Sequence, residues 1–276
     1  MTDETVTDDP ADGVSTTPET DASESQQTES RETDPRRAEV CGDVVAVIPA
    51  RGGSKGIPRK NVVPFLGAPL IAHTIDQSLR SERIDRTYVS TDDEEIASVA
   101  GDAGATVIDR PDDLAGDRSP TEDALLHALG VIRADGIDPD VVVLLQCTSP
   151  LRREGDIDSV VRLITDGEYD SALSCRRDHG FYWRTDSDAD GGAEPINYDP
   201  SERAMRQELD PRYRENGSIY AVETSVLERE ECRVGGDVGL HVMPKPLSLE
   251  IDTPEDLTLV EAIGREITFY SSFADV

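Results

Sequence analysis

The sequence predicts an α/β fold: a doubly wound, mainly parallel sheet with helices on both faces. Three observations carry that expectation. Apolar runs of strand length alternate with segments of helical period over about 130 residues. Consecutive strands joined through helices run parallel, with right-handed crossovers. A glycine-rich basic turn, Arg51 to Asn61, follows the first apolar run, at the strand end where such folds bind ligands.

The first strand is the run Val44-Val-Ala-Val-Ile-Pro49. Ile71, Ile75 and Leu79 then recur at helical spacing, and Arg86 to Val89 returns to strand character. Asp92 and Asp93 cap a second helix with Ile96, Val99, Ala100 and Ala103 on one face, and Gly104 stops it. Thr106 to Ile108 is a short strand. Ser119-Pro-Thr-Glu122 reads as a capping box that opens a helix bearing Leu125, Leu126, Leu129 and Ile132.

Val141 to Leu145 is the most apolar strand of the chain. Asp156 to Thr165 sets Ile157, Val160, Val161 and Ile164 at i, i+3, i+4, i+7, a helix on a core, before a strand over Asp170 to Ser174. Residues 176 to 215 break the alternation with aromatics, arginines and no clear period. Strands are expected at Gly217 to Val222, Leu240 to Met243 and Ser248 to Ile251, followed by a helix capped by Thr253-Pro-Glu-Asp256.

The glycine-rich turn carries most of the chemistry. Gly52, Gly53 and Gly56 let backbone N–H groups approach an anion, and Arg51, Lys55, Arg59 and Lys60 supply positive charge. The order of residues is neither GxxxxGK[ST] nor GxGxxG, and Pro58 prevents a helix from running through it. The turn therefore reads as a phosphate loop of another kind, against the plainer alternative of a solvated surface turn.

Ile48 to Asn61 resembles the signature of the CMP-N-acylneuraminate (CMP-sialic acid) synthetases, cytidylyltransferases of nucleotide-sugar type. Val89-Ser-Thr-Asp92, Arg110-Pro111, Gln146-Cys-Thr-Ser-Pro-Leu-Arg152, Asn216-Gly-Ser-Ile-Tyr220 and Glu250-Ile-Asp252 follow in the family's order. The resemblance covers roughly residues 43 to 260. It implies transfer of CMP from CTP to the anomeric hydroxyl of a nine-carbon 2-keto acid sugar, with release of pyrophosphate. The acid would be an N-acylneuraminate or a legionaminic or pseudaminic analogue. An eight-carbon Kdo-activating enzyme is the alternative, and a non-catalytic nucleotide-sugar binding protein a further one.

The resemblance also implies the site residues. Arg51, Lys55 and Lys60 match the triphosphate positions, with Ser54 adding a contact and Asn61 touching the nucleotide. Arg110, with Ser119 and Thr121, matches the cytosine pocket. Gln146, Arg206, Gln207, Asn216 and Tyr220 match the acceptor side, where Arg206 suits bidentate pairing with the sugar carboxylate. Glu250 and Asp252 match the Mg²⁺ carboxylates; relatives usually carry aspartate at both positions. Met205 stands where many relatives have a basic residue. Residues 176 to 215 correspond to an extension that closes the sugar site and contacts a second subunit, implying a homodimer. Read without the family, Arg110 is a solvated loop residue, Glu250 part of an acidic face and Arg206 half of an intersubunit salt bridge. His179 is not assigned as a base.

Composition bounds the rest. The 276 residues fit one domain with appendages, and the net charge is −31. Residues 1–40 hold twelve Asp or Glu against three Arg and almost no large apolar side chain, and read as a disordered acidic tail ahead of a cytidylyltransferase domain over 41–276. That tail lacks the apolar core of a signal peptide. With its −9 set aside, about −22 remains on the domain, and lysine occurs only at 55, 60 and 245. Acid excess with so little lysine suggests adaptation to high salt, where screening removes self-repulsion. Outside the loop and the stretch from Arg203 to Arg214 no basic patch offers a nucleic-acid surface. Cysteines 41, 147, 175 and 232 form neither a zinc motif nor a disulfide framework, and no apolar run reaches membrane-span length. The expectation is a soluble, reduced, cytoplasmic protein.

Overall fold

The computed structural model describes residues 42–54, 56–185, 192–205, 208 and 210–274, with the side chains of the last helix described to Ile267. The acidic tail read over residues 1–40 lies outside the described residues. The first strand, β1 (Val44–Pro49), is buried over its first five residues. It lies between β4 (Arg86–Thr91) and β6 (Val141–Leu145), parallel to both. Strand β5 (Thr106–Asp109) extends the parallel pairing beyond β4. Unbroken apolar runs suit strands covered on both faces.

Beyond β6 the sheet continues through β10 (Arg212–Glu223), β7 (Ser171–Asp178) and β11 (Val238–Val242), giving the order β11-β7-β10-β6-β1-β4-β5. β10 is antiparallel to both neighbours, and β11 is parallel to β7. The sheet is thus mainly parallel with one reversed strand.

Helices cover both faces, as the alternation requires. Helices α1 (Leu70–Leu79), α2 (Glu94–Asp102) and α4 (Asp156–Thr165) bury Ile71, Ile75, Ile96, Ile157 and Val160 against Ala46, Ile48 and Val143. Helices α3 (Thr121–Ala134) and α5 (Thr224–Glu230) bury Leu125, Leu129, Ile132 and Leu227 against Val45, Val47 and Val142. Leu79, expected on the apolar face of α1, sits in its last turn and is 50% exposed. A third cluster joins Ile57, Phe65, Leu70, Ile251 and Val260 of the last helix, α6 (Pro254–Ala274). Two short hairpins lie outside the main sheet: β2 (Pro64–Phe65) with β3 (Ala68–Pro69), and β8 (Trp183–Thr185) with β9 (Ala193–Pro195). The second lies inside the segment whose sequence shows no period.

Three expectations need correction. Ser119 does not cap α3: its hydroxyl donates to the Asp113 carbonyl, and the helix starts at Thr121 without a side-chain cap. Ser248 to Ile251 joins no sheet. Its alternation comes from Ile251 packing into the third cluster, while the Ile251 N–H donates to the Thr148 carbonyl at 2.8 Å. Arg59 is not a free loop cation, as described below. By contrast, the box at Thr253 and Asp256 forms reciprocally, with N–H to side-chain bonds of 2.9 and 3.2 Å.

From β1 the chain passes to β4 and β5 on one side, then returns to the other flank of β1 with β6. The direction of winding therefore reverses between β1 and β6, which opens a crevice at their carboxyl ends.

Candidate active site

A cavity of about 570 Å³ occupies that crevice. The glycine-rich loop supplies Arg51, Ser54, Lys60 and Asn61; Arg110 follows β5; Ser119 and Thr121 flank the start of α3; Gln146 ends β6; and Asp252 precedes α6. Elements far apart in sequence meet here because the parallel strands all end on one edge.

The loop is fixed from several sides. Ala50 N–H continues the β1 ladder to the Ser90 carbonyl at 2.9 Å, and Gly52 N–H donates to Asp92 Oδ1 at 3.0 Å. Asn61 Nδ2 donates to the Arg51 carbonyl at 3.0 Å, closing the loop on itself. A Cβ at Gly56 would stand 2.0 Å from the backbone oxygen of Asp252, so only glycine permits this approach. Ile57 anchors the same turn in the third apolar cluster. Arg59, with φ of 57°, directs its guanidinium to Asp93 at 2.6 and 3.0 Å and to Glu95. It ties the loop to the N-terminus of α2, where Asp93 also caps Glu95 and Ile96.

The cavity keeps both signs of charge close. Lys60 Nζ lies 2.9 Å from Asp252 Oδ1. Arg51 donates to the Gly116 carbonyl at 2.9 Å and pairs with Asp117 at 3.1 Å. Arg110 is buried; its Nε donates to Ser90 Oγ at 3.0 Å and one amino group to the Ser90 carbonyl. Burial pushes its guanidinium below the usual arginine range, opposed by Asp92 and reinforced by Arg51.

Behind the cavity stands Arg152, which the motif reading quoted without assigning. It is buried and donates to Gln77 Oε1, the carbonyls of Gln146 and Ser218, and Thr74 Oγ1, at 2.7 to 3.2 Å. It thereby locks the end of β6 against β10. Burial pushes its guanidinium down to about 10 and the neighbouring Cys147 thiol up to about 12, so this thiol is no nucleophile near neutrality. The only sequence signal for Arg152 was its place at the end of the Gln146 motif.

The acceptor-side residues divide. Gln146 lines the cavity. Asn216 is buried beneath it: its Oδ1 accepts from Ser174 Oγ and Ser218 N–H, and its Nδ2 faces Met243 Sδ and Ser248 Oγ. Its amide braces the start of β10 and does not line the cavity. Tyr220 faces the α3 side, its hydroxyl donating to Glu215 Oε2 at 2.9 Å and its ring lying under Arg233. Burial and Glu215 push that phenol up. Lys55, Arg206 and Gln207 lie outside the described residues.

Glu250 sits beside the cavity, its carboxylate against Gly217, whose φ is 66°. Burial and then the neighbouring Asp252 push the Glu250 carboxyl up, against the pull of Arg214 and Lys60. Among the described residues no group of three or more His, Cys, Asp or Glu is assembled to hold a metal. No described helix is long and apolar enough to cross a membrane.

Residues 45–272 match a family model described as cytidylyltransferase. The chain is 35% identical over 219 residues to N-acylneuraminate cytidylyltransferase A of Danio rerio, covering 79% of this chain and 50% of that protein. It is 32% identical over 225 residues to N-acylneuraminate cytidylyltransferase of Streptococcus agalactiae, covering 80% and 52%. The chain thus spans about half the length of the curated relatives it matches. Among solved structures, a CMP:2-keto-3-deoxy-manno-octonic acid synthetase complexed with CTP superposes with a TM-score of 0.61 at 22% identity, over 81% of this chain and 99% of that one. A 4-diphosphocytidyl-2C-methyl-D-erythritol synthase gives 0.58 at 12% identity, over 80% and 99%. Both show the same fold.

Proposed function

The chain belongs to the cytidylyltransferase family, and from that membership we propose that it transfers CMP from CTP to the anomeric hydroxyl of a nine-carbon 2-keto acid sugar. The acid is an N-acylneuraminate or a legionaminic or pseudaminic analogue. The observation that carries this reading is the gathering of Arg51, Lys60, Arg110 and Asp252 around one cavity at the crevice between β1 and β6.

Phosphoryl transfer of this kind depends mostly on positioning and on neutralising charge. The anomeric oxygen bonds to the α-phosphorus as the bond to pyrophosphate breaks. Arg51, Lys60 and Lys55 hold the triphosphate, with Ser54 and Asn61 beside it. Arg110, pinned by Ser90, offers its remaining donor edge to the cytosine, with Ser119 and Thr121 across the pocket. Gln146 positions the acceptor, and Arg206 pairs with its carboxylate, with Gln207 beside it.

The site suits Mg²⁺. Asp252 is 63% exposed at the cavity, and its charge already disfavours ionised Glu250, a repulsion that a divalent cation relieves. Two carboxylates suffice, because Mg²⁺ takes its remaining ligands from water and substrate phosphates. Asp252 and Glu250 would hold the ion, and when bound it neutralises charge on the phosphates.

The chain further assembles as a homodimer through the 176–215 extension, a reading supported by exposed Tyr182, Trp183, Ile196, Met205 and Tyr213. It works in the cytoplasm, and the charge of −31 supports the further reading that the cell is salt-adapted. The test of the activity is pyrophosphate release in high salt with Mg²⁺, crossing CTP, UTP, GTP and ATP with sialic, legionaminic, pseudaminic and Kdo acids. Release with CTP and one nine-carbon acid is expected. Release only with Kdo, or none in any combination, overturns the assignment.

A further inference from the structure

One group of basic side chains, at the end of β7, lines a second cavity and has no role in the proposed CMP transfer. Strand β7 ends in Arg176-Arg177-Asp178 and β10 begins with Arg212-Tyr213-Arg214, and their register sets Arg214 directly opposite Arg176. Like charges directly opposed on one sheet face repel. Arg214 has Glu250 as an anionic neighbour, which leaves Arg176, Arg177 and Lys245 as the cations at this end of β7.

A cavity of about 530 Å³ opens at this end of β7, lined by Arg176, Arg177, His179 and Lys245 over an apolar floor that includes Val242 and Met243. Met243 N–H donates to the Cys175 carbonyl at 2.7 Å, fastening the floor to the strand. Asp178 is the single acid lining the cavity; it already accepts from the Tyr182 hydroxyl and pairs with Arg176 at 3.6 Å. Arg177 and Lys245 make no ion pair with any described residue, and His179 Nδ1 is buried without a hydrogen-bond partner. Lys245 is also the one lysine outside the glycine-rich loop.

We propose that this cavity is a second anion site, separate from the nucleotide cavity, that takes a small phosphate-class oxyanion. Guanidinium forks match the tetrahedral oxygens of phosphate, and an ammonium supplies a point charge that reorients to meet them. The oxyanion comes either as free phosphate or as pyrophosphate.

The test is calorimetric titration of pyrophosphate, and separately of inorganic phosphate, into the whole protein in concentrated KCl. Wild type is compared with Arg177→Ala/Lys245→Ala and with Arg51→Ala/Lys60→Ala. Two pyrophosphate sites are expected in wild type, and each double variant retains one. Loss of charged hydrogen bonds weakens the second site about tenfold or more in Arg177→Ala/Lys245→Ala. Its CTP affinity stays unchanged, which also reports that it is folded. Phosphate filling the second site as well as pyrophosphate does identifies a monophosphate ligand; pyrophosphate alone identifies the diphosphate. Three results overturn the proposal: a single site in wild type that vanishes with Arg51 and Lys60, two sites surviving in Arg177→Ala/Lys245→Ala, or displacement from the second site by excess acceptor acid. A loss of dimer in place of a loss of anion binding also overturns it, since the cavity would then receive the partner chain.

Discussion

Lys60 Nζ donates to Asp252 Oδ1 at 2.9 Å across 192 positions of sequence, joining the glycine-rich loop to the segment that leads into α6. Lys60 is largely buried, with 16% of its side chain exposed, whereas Asp252 is open to the cavity. The lysine thus aims the carboxylate while leaving one face of it accessible.

Replacing Asp252 with asparagine keeps the shape and removes the charge. Turnover is expected to fall about 10²- to 10³-fold, the scale of losing one charge-stabilising group. The response to Mg²⁺ should flatten at the same time. Pyrophosphate release measured across a Mg²⁺ series checks this, and a variant with the wild-type Mg²⁺ response removes Asp252 from the metal site.

Gly56 and Gly53 make an internal comparison within one loop. A Cβ at Gly56 meets the Asp252 carbonyl at 2.0 Å, while one at Gly53 meets nothing within 4 Å. Gly56→Ala should cost about 1–3 kcal/mol, the range for forced overpacking, and weaken CTP binding. Gly53→Ala should stay within about 0.5 kcal/mol of wild type. Equal melting temperatures for the two variants contradict the close approach.

Glu250 carries a pH signature. Its carboxyl is pushed up by burial and by Asp252, so the folded state holds that proton more tightly than the unfolded chain. Its ionisation therefore costs stability, and the loss develops as pH rises from the usual glutamate range through the raised value. Glu250→Gln escapes this loss. The variant should melt above wild type at pH 7 without Mg²⁺, with the gap closing toward acid pH. Saturating Mg²⁺ should stabilise wild type more than the variant. Melting curves over pH with and without Mg²⁺ decide it, and a gap independent of both tells against Glu250 as described.

The net charge of −31 predicts a strong salt response. Screening shortens the reach of self-repulsion to about 3 Å at 1 M salt, so the melting temperature should climb steeply as KCl rises from dilute buffer into the molar range. A flat curve between those limits contradicts salt adaptation.

Much of the fold was legible because its signals are local. The bounds of α4 follow from Ile157, Val160, Val161 and Ile164, which are all buried as their spacing requires. The Thr253 box is legible because cap and helix are neighbours in sequence. What was not legible depends on distant partners. Arg59 looks like a phosphate cation until the fold brings Asp93 and Glu95 against it. Ser119 has the order of a cap, yet its hydroxyl finds the Asp113 carbonyl. Ile251 alternates like a strand residue because it fills a satellite cluster with Ile57 and Val260. In the site, Arg51, Lys60, Arg110, Gln146 and Asp252 were all recognisable from motifs, and they meet in one cavity. Asn216 and Arg152 were not separable by sequence, since both sit in motifs and only burial reveals that their polar groups brace the strands.

The proposed reaction is attack by the anomeric oxygen of a nine-carbon acid on the α-phosphorus of CTP. The most direct measurement uses acid labelled with ¹⁸O at the anomeric hydroxyl and follows the label by ³¹P NMR and mass spectrometry. The account predicts that ¹⁸O is retained in the bridge between sugar and CMP, with unlabelled pyrophosphate released. Label in the pyrophosphate, or hydrolysis of CTP with no sugar adduct, contradicts it.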